Sequence, residues 1–564
     1  MSKAPITELD PFEQIKAESR MLRGTLMETL ADETTGAIPE HDAKLMKFHG
    51  SYMQDDRDQR TERREARLEP LFSFMTRVRV PGGVATPQQW LALDELADTC
   101  ANGTLRLTTR QAVQFHGIYK ENLRKLIRGL DAVDMDALAA CGDVNRNVMC
   151  HPNPERTAIH EQVQPWAVAL SRELSPRTHA YREIFINGKK VDEHHEVEPL
   201  YGNTYLPRKF KTVIAIPPVN DVDVYAHDLG FIAIHENNRL LGFNVSVGGG
   251  MGTSHGDDET FPRLADMIGF CPPQQVVEVA EAVISVQRDY GNRRERKNAR
   301  LKYTIERMGI DAFKREVEWR LRRPLAPVRD FRFSHTGDPY GWARSEDGRW
   351  HLTLYIENGR IKGPQREGLR QIAQIHQGDF RITPNQNLVI AGIAAGDKPA
   401  IEALVAQYQL DGYRQHSAAR LYAMACVGMP TCGLAMAESE RYLPSLMERI
   451  DALLERYGLR DQPISIRMTG CPNGCARPFV AEIGLVGKAP GRYNLHLGAA
   501  FNGERLNRLY RESIDEKALL ELLDDLFKRY SSERENDEHF GDYLLRAGVV
   551  KAVEHGREAI HACG

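Results

Sequence analysis

The sequence predicts a mixed α/β (α+β) fold of three interlocked domains, built on an internal pseudo-twofold duplication. Three observations carry this reading. The 564 residues exceed what one ordinary hydrophobic core serves. Strand-like alternation and helical periodicity take turns along the chain from Phe74 onward. Two strings of matched residues recur in the same order in the two halves.

The elements follow in order. Residues 1–70 are polar, charge-rich and short of apolar periodicity, and read as a partly disordered extension or one that wraps another surface. Residues 74–83 (FMTRVRVPGG) alternate as a strand and stop at a turn. A helix follows over Pro87–Cys100, with Trp90, Leu91, Leu93, Leu96 and Ala97 apolar, and then a strand over residues 104–111. The same succession returns later: a strand over 351–359, a helix over 369–375 and a strand over 380–386. Arg106-Leu-Thr…Gln111 matches Arg381-Ile-Thr…Gln386, and Gly83 and Gly359 precede the two arginines at nearly equal distance. Downstream, Pro218 leads to Gly230 as Pro472 leads to Gly484, and residues 243–248 (FNVSVG) parallel residues 493–498 (YNLHLG). A chain duplicated in this way often closes around one site on its pseudo-axis.

Composition excludes some classes. No apolar run approaches the ~20 residues of a membrane span, and the N-terminus lacks the charged-then-apolar pattern of a secretory signal, so the cytoplasm is the expected location. A net charge of -4 hides basic clusters at residues 57–67 and 288–302. Without a stacking platform or reader motif beside them, they read as solvated faces rather than nucleic-acid contacts.

Nine cysteines in such a chain are not a disulfide framework. Cys100, Cys141, Cys150, Cys271 and Cys563 are scattered and read as buried or tolerated thiols. Cys426, Cys432, Cys471 and Cys475 instead form C-x5-C, 38 residues, then C-x3-C. Soft thiolates suit iron–sulfur clusters, zinc or cuprous ions. A five-residue gap fits the tight knuckles of structural zinc less well than loops splayed around a bulkier cluster, and Pro430, Pro472 and Gly474 supply irregular backbone for such loops.

The segments MACVGMPTC (424–432) and TGCPNGC (469–475) resemble those of the siroheme-dependent sulfite and nitrite reductases. The likeness extends through RLTTRQAVQFHG, VNRNVMC, TYLPRKFKT, GFNVSVGGG, QRDYGNRRERKNA, GDFRITPNQN and VGKAPGRYNLHLG, nearly the whole chain beyond residue 70. Within the family, the resemblance is to members supplied by NADPH through a separate flavoprotein subunit bearing FAD and FMN. It implies that Cys426, Cys432, Cys471 and Cys475 hold a 4Fe–4S cluster. It also implies that Cys475 binds the siroheme iron through the same sulfur.

The resemblance further implies an anion pocket of Arg77, Arg146, Lys209 and Lys211. In an extended segment Lys209 and Lys211 share one face while Phe210 takes the other. Fixed cations bind sulfite and stabilise charge on departing oxygens. Arginine clamps the anion, whereas lysine also supplies protons. Arg106, Arg110, His116 and the run 288–302 are candidates for the siroheme carboxylates; for Asn385 and Asn387, turn or core roles stand equally.

A nitrite-reducing or ferredoxin-dependent relative is the nearest rival, and Lys209-Phe-Lys211 favours sulfite, where nitrite enzymes typically carry Lys-x-Asn. An iron–sulfur dehydratase and a zinc-containing structural or RNA-binding protein are the alternatives from other classes. The expected organisation is an extension over 1–70, paired ferredoxin-like modules over 71–138 and 335–414, a siroheme and substrate domain over 139–334, and a cluster domain over 415–564. No dinucleotide fingerprint follows a strand, residues 247–252 (VGGGMG) being a weak look-alike, so electrons are expected from the partner rather than from NADPH bound here.

Overall fold

The structure, a computed structural model, describes residues 8–152, 158–178, 185–186, 189–190 and 198–562. Cys563 lies outside them. Four five-stranded sheets organise the described residues, in two look-alike pairs.

The first pair forms by reciprocal exchange. One sheet runs, in spatial order, Ser51–Asp55, Phe72–Val78, Val113–Ile118, Leu105–Leu107 and Arg360–Ile361. The other runs Gly341–Arg344, Trp350–Leu354, Leu388–Ile393, Asp379–Ile382 and Val84–Ala85. Each module thus closes the other's sheet with a two-residue strand, Arg360 facing Arg106 and Val84 facing Arg381. The helix Pro87–Cys100 begins at a capping box, where Thr86 and Gln89 satisfy each other's backbone N–H groups and Pro87 needs none. It buries Trp90, Leu93, Leu96, Ala97 and Cys100 on one stripe. Trp90 stacks on Phe380 of the other module at 4.8 Å, so the two modules share a core. Burying a side chain of this size stabilises by about 1.5–3 kcal/mol.

The second pair has identical topology. Met149–Cys150, Thr212–Ala215, Leu229–Glu236, Arg239–Val247 and Asp266–Cys271 pair parallel, parallel, antiparallel, antiparallel. Ala423–Ala425, Ile466–Thr469, Ile483–Ala489, Arg492–Leu497 and Arg508–Ile514 do the same. The pseudo-twofold duplication is therefore present at the level of strand order, and it positions two equivalent loop sets, one after each first and second strand.

Residues 8–70 are not a loose polar tail. They form short helices, among them Pro11–Ala17 and Glu40–Met46, and the strand Ser51–Asp55 on the first sheet. Phe12, Leu22, Leu45 and Phe48 are buried in the core of residues 139–325. Charge masked this in the sequence, because several of the charged groups here are themselves buried with partners, Lys16 with Glu13 among them. No helix of the described residues is long and apolar enough to cross a membrane.

Candidate active site and metal centre

The four cysteines sit on the two loops that follow the first two strands of the last sheet. Cys426 follows Ala423–Ala425 directly, and the Cys471–Cys475 loop follows Ile466–Thr469. Gly428 and Gly474 hold positive φ there, and a Cβ at Gly428 would meet the Ser439 backbone N at 2.6 Å, so only glycine lets the loop pass. The Gly470 N–H donates to Cys426 Sγ (3.2 Å) and Asn473 Nδ2 donates to Cys471 Sγ (3.5 Å).

Burial, reinforced by Cys475, pushes the Cys426 thiol up to about 12 and that of Cys471 to about 11, and burial raises Cys432. These thiols stay neutral until a cationic centre stabilises their thiolates. Among the described residues, no three His, Cys, Asp or Glu side chains converge as ligands of one metal ion. A tetrahedral zinc would draw its sulfurs to about 2.3 Å. A 4Fe–4S cube instead takes its thiolates at separate irons. The donor set, four cysteines that are electrostatic neighbours across two glycine-hinged loops, fits the cube. Of the four, Cys475 alone is exposed.

Opposite it lies a basic cup from the first half. Ala140 O accepts from both Arg77 Nη1 (3.4 Å) and Arg146 Nη1 (3.2 Å), which brings these two arginines together. Phe210 is fully buried while Lys209 and Lys211 are half-buried, the alternation the extended segment requires. Burial, then Arg208 and Arg300, pull Lys209 down to about 7; burial, then Arg110 and Lys209, pull Lys211 well below its ordinary value. Cys475 is an electrostatic neighbour of Arg77, Lys209 and Lys211 alike, which joins cup and cysteine loop into one site. Among the described residues neither lysine ammonium has a hydrogen-bond or ion-pair partner. Basic groups held at this density without partners are poised to take up an anion together with their protons.

The remaining candidates divide. Arg110 is anchored to Thr212 O (3.0 Å) and lies against Met149 and His227, and its buried Nε is left unsatisfied, which fits a carboxylate-bearing group. Arg106 does not keep a free guanidinium for a cofactor. It is buried, pairs with Glu440 (2.6 Å) and donates to Ala425 O (3.0 Å), bracing the backbone next to Cys426. Although burial opposes it, Arg106 and Arg360 hold Glu440 down at about 2. Burial, then Arg360 and Arg106, hold the His116 imidazolium well below its ordinary range, and among the described residues its buried Nε2 is left without a hydrogen-bond partner. In the basic run, Arg300 pairs with Asp228, while Lys302 donates to the Gly250, Gly252 and Phe261 carbonyls: it stabilises folds of this chain. Asn385 and Asn387 bind Asp338 and serve the turn. Arg79 pairs with Asp136. The glycine-rich loop 248–252 docks on the cysteine loop, Thr253 N–H reaching Pro472 O at 2.9 Å.

Some contributors gave no sequence signal. Arg57, in a run read as a solvated face, donates to Cys432 O (2.9 Å) and Ala435 O (2.7 Å) and so ties down the cysteine loop. Thr109 Oγ1 donates to Cys475 O (2.9 Å), and Arg477 Nη1 donates to Thr109 O (2.7 Å). Tyr52 is an electrostatic neighbour of Cys141, Arg146 and Arg77. Asp223 and Arg477 occupy equivalent positions in the two copies, both at left-handed φ (49° and 54°), and ion-pair across the pseudo-axis. Where the second copy carries Cys426 and Cys475, the first places His151 and Asp221, which pair with each other at 2.7 Å. The chain thus provides one cysteine set.

A duplicated α/β scaffold whose one copy offers cluster-forming thiols and whose other offers an anion cup defines a redox enzyme for a small oxyanion. Comparison with known proteins gives the family. The model described as nitrite and sulphite reductase 4Fe-4S domain matches residues 166–325, and the nitrite/sulfite reductase ferredoxin-like half domain matches 70–133 and 343–408. A sulfite reductase (NADPH) hemoprotein beta-component of Geobacillus kaustophilus is 57% identical, with 98% of each chain covered. A protein of the same description from Myxococcus xanthus is 56% identical over 96% of this chain and 97% of its own. The solved structure of the NirA protein of Mycobacterium tuberculosis superposes with a TM-score of 0.78 at 28% identity, covering 95% of this chain and 96% of that one. The chain belongs to the nitrite and sulphite reductase family.

Proposed function

We infer that this chain reduces sulfite to sulfide, with Cys426, Cys432, Cys471 and Cys475 holding a 4Fe–4S cluster and Cys475 also bound to a siroheme. The observation that carries the reading is the convergence of Arg77, Lys209 and Lys211 on Cys475. When bound, the coupled cofactors supply the six electrons that take sulfur from its +4 to its -2 state.

The chain's own residues do the rest. Arg77 and Arg146, tethered to one carbonyl, clamp the anion's oxygens. Lys209 and Lys211 bind the anion and donate protons toward the three waters that leave. A group held near neutrality is matched to that task, and Lys209 at about 7 is such a group. Arg110, with its free Nε, receives a macrocycle carboxylate.

Electrons come from a separate flavoprotein subunit carrying FAD and FMN and using NADPH. The relatives' description as a beta-component supports such a partner. The setting is assimilatory sulfur metabolism toward cysteine, in the cytoplasm. Lys211, rather than asparagine, favours sulfite over nitrite as the substrate. The test is purification of the chain alone, its visible spectrum, and sulfite turnover with a reduced viologen, beside Cys475→Ser. Siroheme bands with turnover in the wild type, and a fall of roughly a thousandfold in the variant, are expected. Normal turnover in Cys475→Ser, or a colourless wild type, overturns the reading.

A further inference from the structure

The two arms of the anion cup are short and irregular, and neither is held by its own sheet alone. Residues 143–146 lead to Arg146, and residues 204–211 carry Lys209 and Lys211. They run side by side: Leu206 N–H donates to Asp143 O (3.0 Å), Phe210 N–H to Val144 O (3.1 Å), and Arg146 N–H to Phe210 O (3.0 Å). What fixes them from behind is a buried charge network reaching in from the N-terminal segment.

Lys16, on the helix Pro11–Ala17, has no exposed surface. Its ammonium donates to Leu206 O (2.7 Å), to Glu13 (2.5 Å) and to Asp143 (3.4 Å), so one side chain stitches both arms together. Arg296 forks onto both Asp143 oxygens (2.7 and 2.9 Å) and also donates to Pro207 O (3.1 Å). Arg293 pairs with Glu13 and donates to Tyr205 O (2.6 Å). Aromatic contacts repeat the pattern, Phe12 lying against Phe48 and Phe48 against Tyr205, with ring centroids 6.2 and 5.3 Å apart. Tyr205 itself sits at φ 53°, a backbone state that persists only where surroundings impose it.

A buried ion network of this kind is a poor source of stability compared with apolar packing, and its attested use is to specify geometry. Apart from Arg288 O, its carbonyl acceptors fall within 204–207, immediately before the cup lysines. The geometry points to the N-terminal helix as a positioning clamp for the anion cup, with Lys16 as the positioning residue that sets the spacing of Arg146 from Lys209 and Lys211. This deepens the sulfite reading and rests on it: a clamp absent, the cup's cations would still be present but would no longer be held at one separation.

The test uses the holoenzyme. Lys16→Met keeps the stem and removes the donor, and Lys16→Arg restores a cation. For Lys16→Met, siroheme and iron content should equal wild type, and amide hydrogen exchange across residues 204–211 should quicken at least tenfold. The KM for sulfite should rise about tenfold while kcat changes less than threefold, and Lys16→Arg should recover most of both effects. If Lys16→Met does not accumulate as holoenzyme, Glu13→Gln carries the test, with about a threefold rise in KM and faster exchange over the same residues.

Unchanged exchange with unchanged KM overturns the proposal. So does a rise in KM that follows cofactor loss, or one that Lys16→Arg leaves in place, because a merely structural role gives those results. If the wild type fails to bind sulfite, the functional reading fails instead, and the exchange measurement alone then judges the clamp.

Discussion

At the scale of residues, the site works by leaving charges unmatched. Lys211 is placed by its extended segment, beside Arg110 and Lys209, with burial favouring its neutral form. In the proposed reaction a bound oxyanion favours the protonated form, which then donates to a departing oxygen. Lys211→Asn should therefore lower kcat/KM for sulfite about tenfold relative to nitrite, roughly 1.4 kcal/mol of transition-state binding; an unchanged ratio of the two turnovers refutes the discriminator. Lys209 gives a pH prediction. In the empty cup it is neutral above about 7, and a bound anion favours its charged form. Sulfite binding at pH 8 should take up a proton, seen as a buffer-dependent heat in calorimetry, and affinity should decline as pH rises through that value. The sign for folding is opposite: between about 7 and the ordinary lysine value the unfolded chain holds more protons, so this residue's contribution to stability rises with pH in that window. The grouping of the four cysteines was legible in the sequence, because four thiols in fifty residues are hard to place otherwise. The ion pair of Arg106 was not legible, because its partner, Glu440, lies 334 residues away and no local pattern announces it.

At the scale of elements, legibility followed local signals. The helix Pro87–Cys100 was readable to the residue, because a capping box, an N-terminal proline and an apolar stripe agree. Its counterpart Gly363–Ile375 starts six residues before the apolar pattern does, since residues 363–368 (GPQREG) carry no large apolar side chain. The strand Leu105–Leu107 ends sooner than its alternation implied, the chain turning at Gln111 with φ 50°. That turn has a function in the exchange. Gln111 Nε2 donates to Ile382 O (2.8 Å), and the equivalent Gln386 Nε2 donates to Leu107 O (3.4 Å), so each module grips the other at a matching carbonyl. The glycines marked by the repeat face the same two carbonyls. A Cβ at Gly83 would lie 2.5 Å from Ile382 O, and one at Gly359 2.2 Å from Leu107 O, with both residues at positive φ. Gly359→Ala should destabilise the protein by about 2–4 kcal/mol, through strain added to a backbone clash, measured as the shift in denaturant midpoint; a change under half a kcal/mol would show that the exchanged strand is not held there. The N-terminal helices stayed hidden because charges that look solvated in sequence are paired and buried in space.

At the scale of the whole molecule, the duplicated halves are bound in series by a short exposed connection and in parallel by the exchanged strands. Residues 326–330 are exposed between the last helix of the first half and the strands of the second. A protease site introduced at 328–329 and cleaved after folding should leave one particle in size-exclusion chromatography, with cofactor content and melting temperature nearly intact. Fragments that separate without denaturant would show that the connection, rather than the shared core around Trp90 and Phe380, holds the halves together. The exchange also has a consequence for the nascent chain. As synthesis proceeds, the edge of Leu105–Leu107 waits uncovered until residues 360–361 leave the ribosome, and the indole of Trp90 waits longer for its ring partner at 380. An open strand edge beside bare apolar surface invites wrong pairing. Nearly half of translation therefore passes with that edge open, and the yield of this protein in a cell should depend on whatever shelters it in the interval.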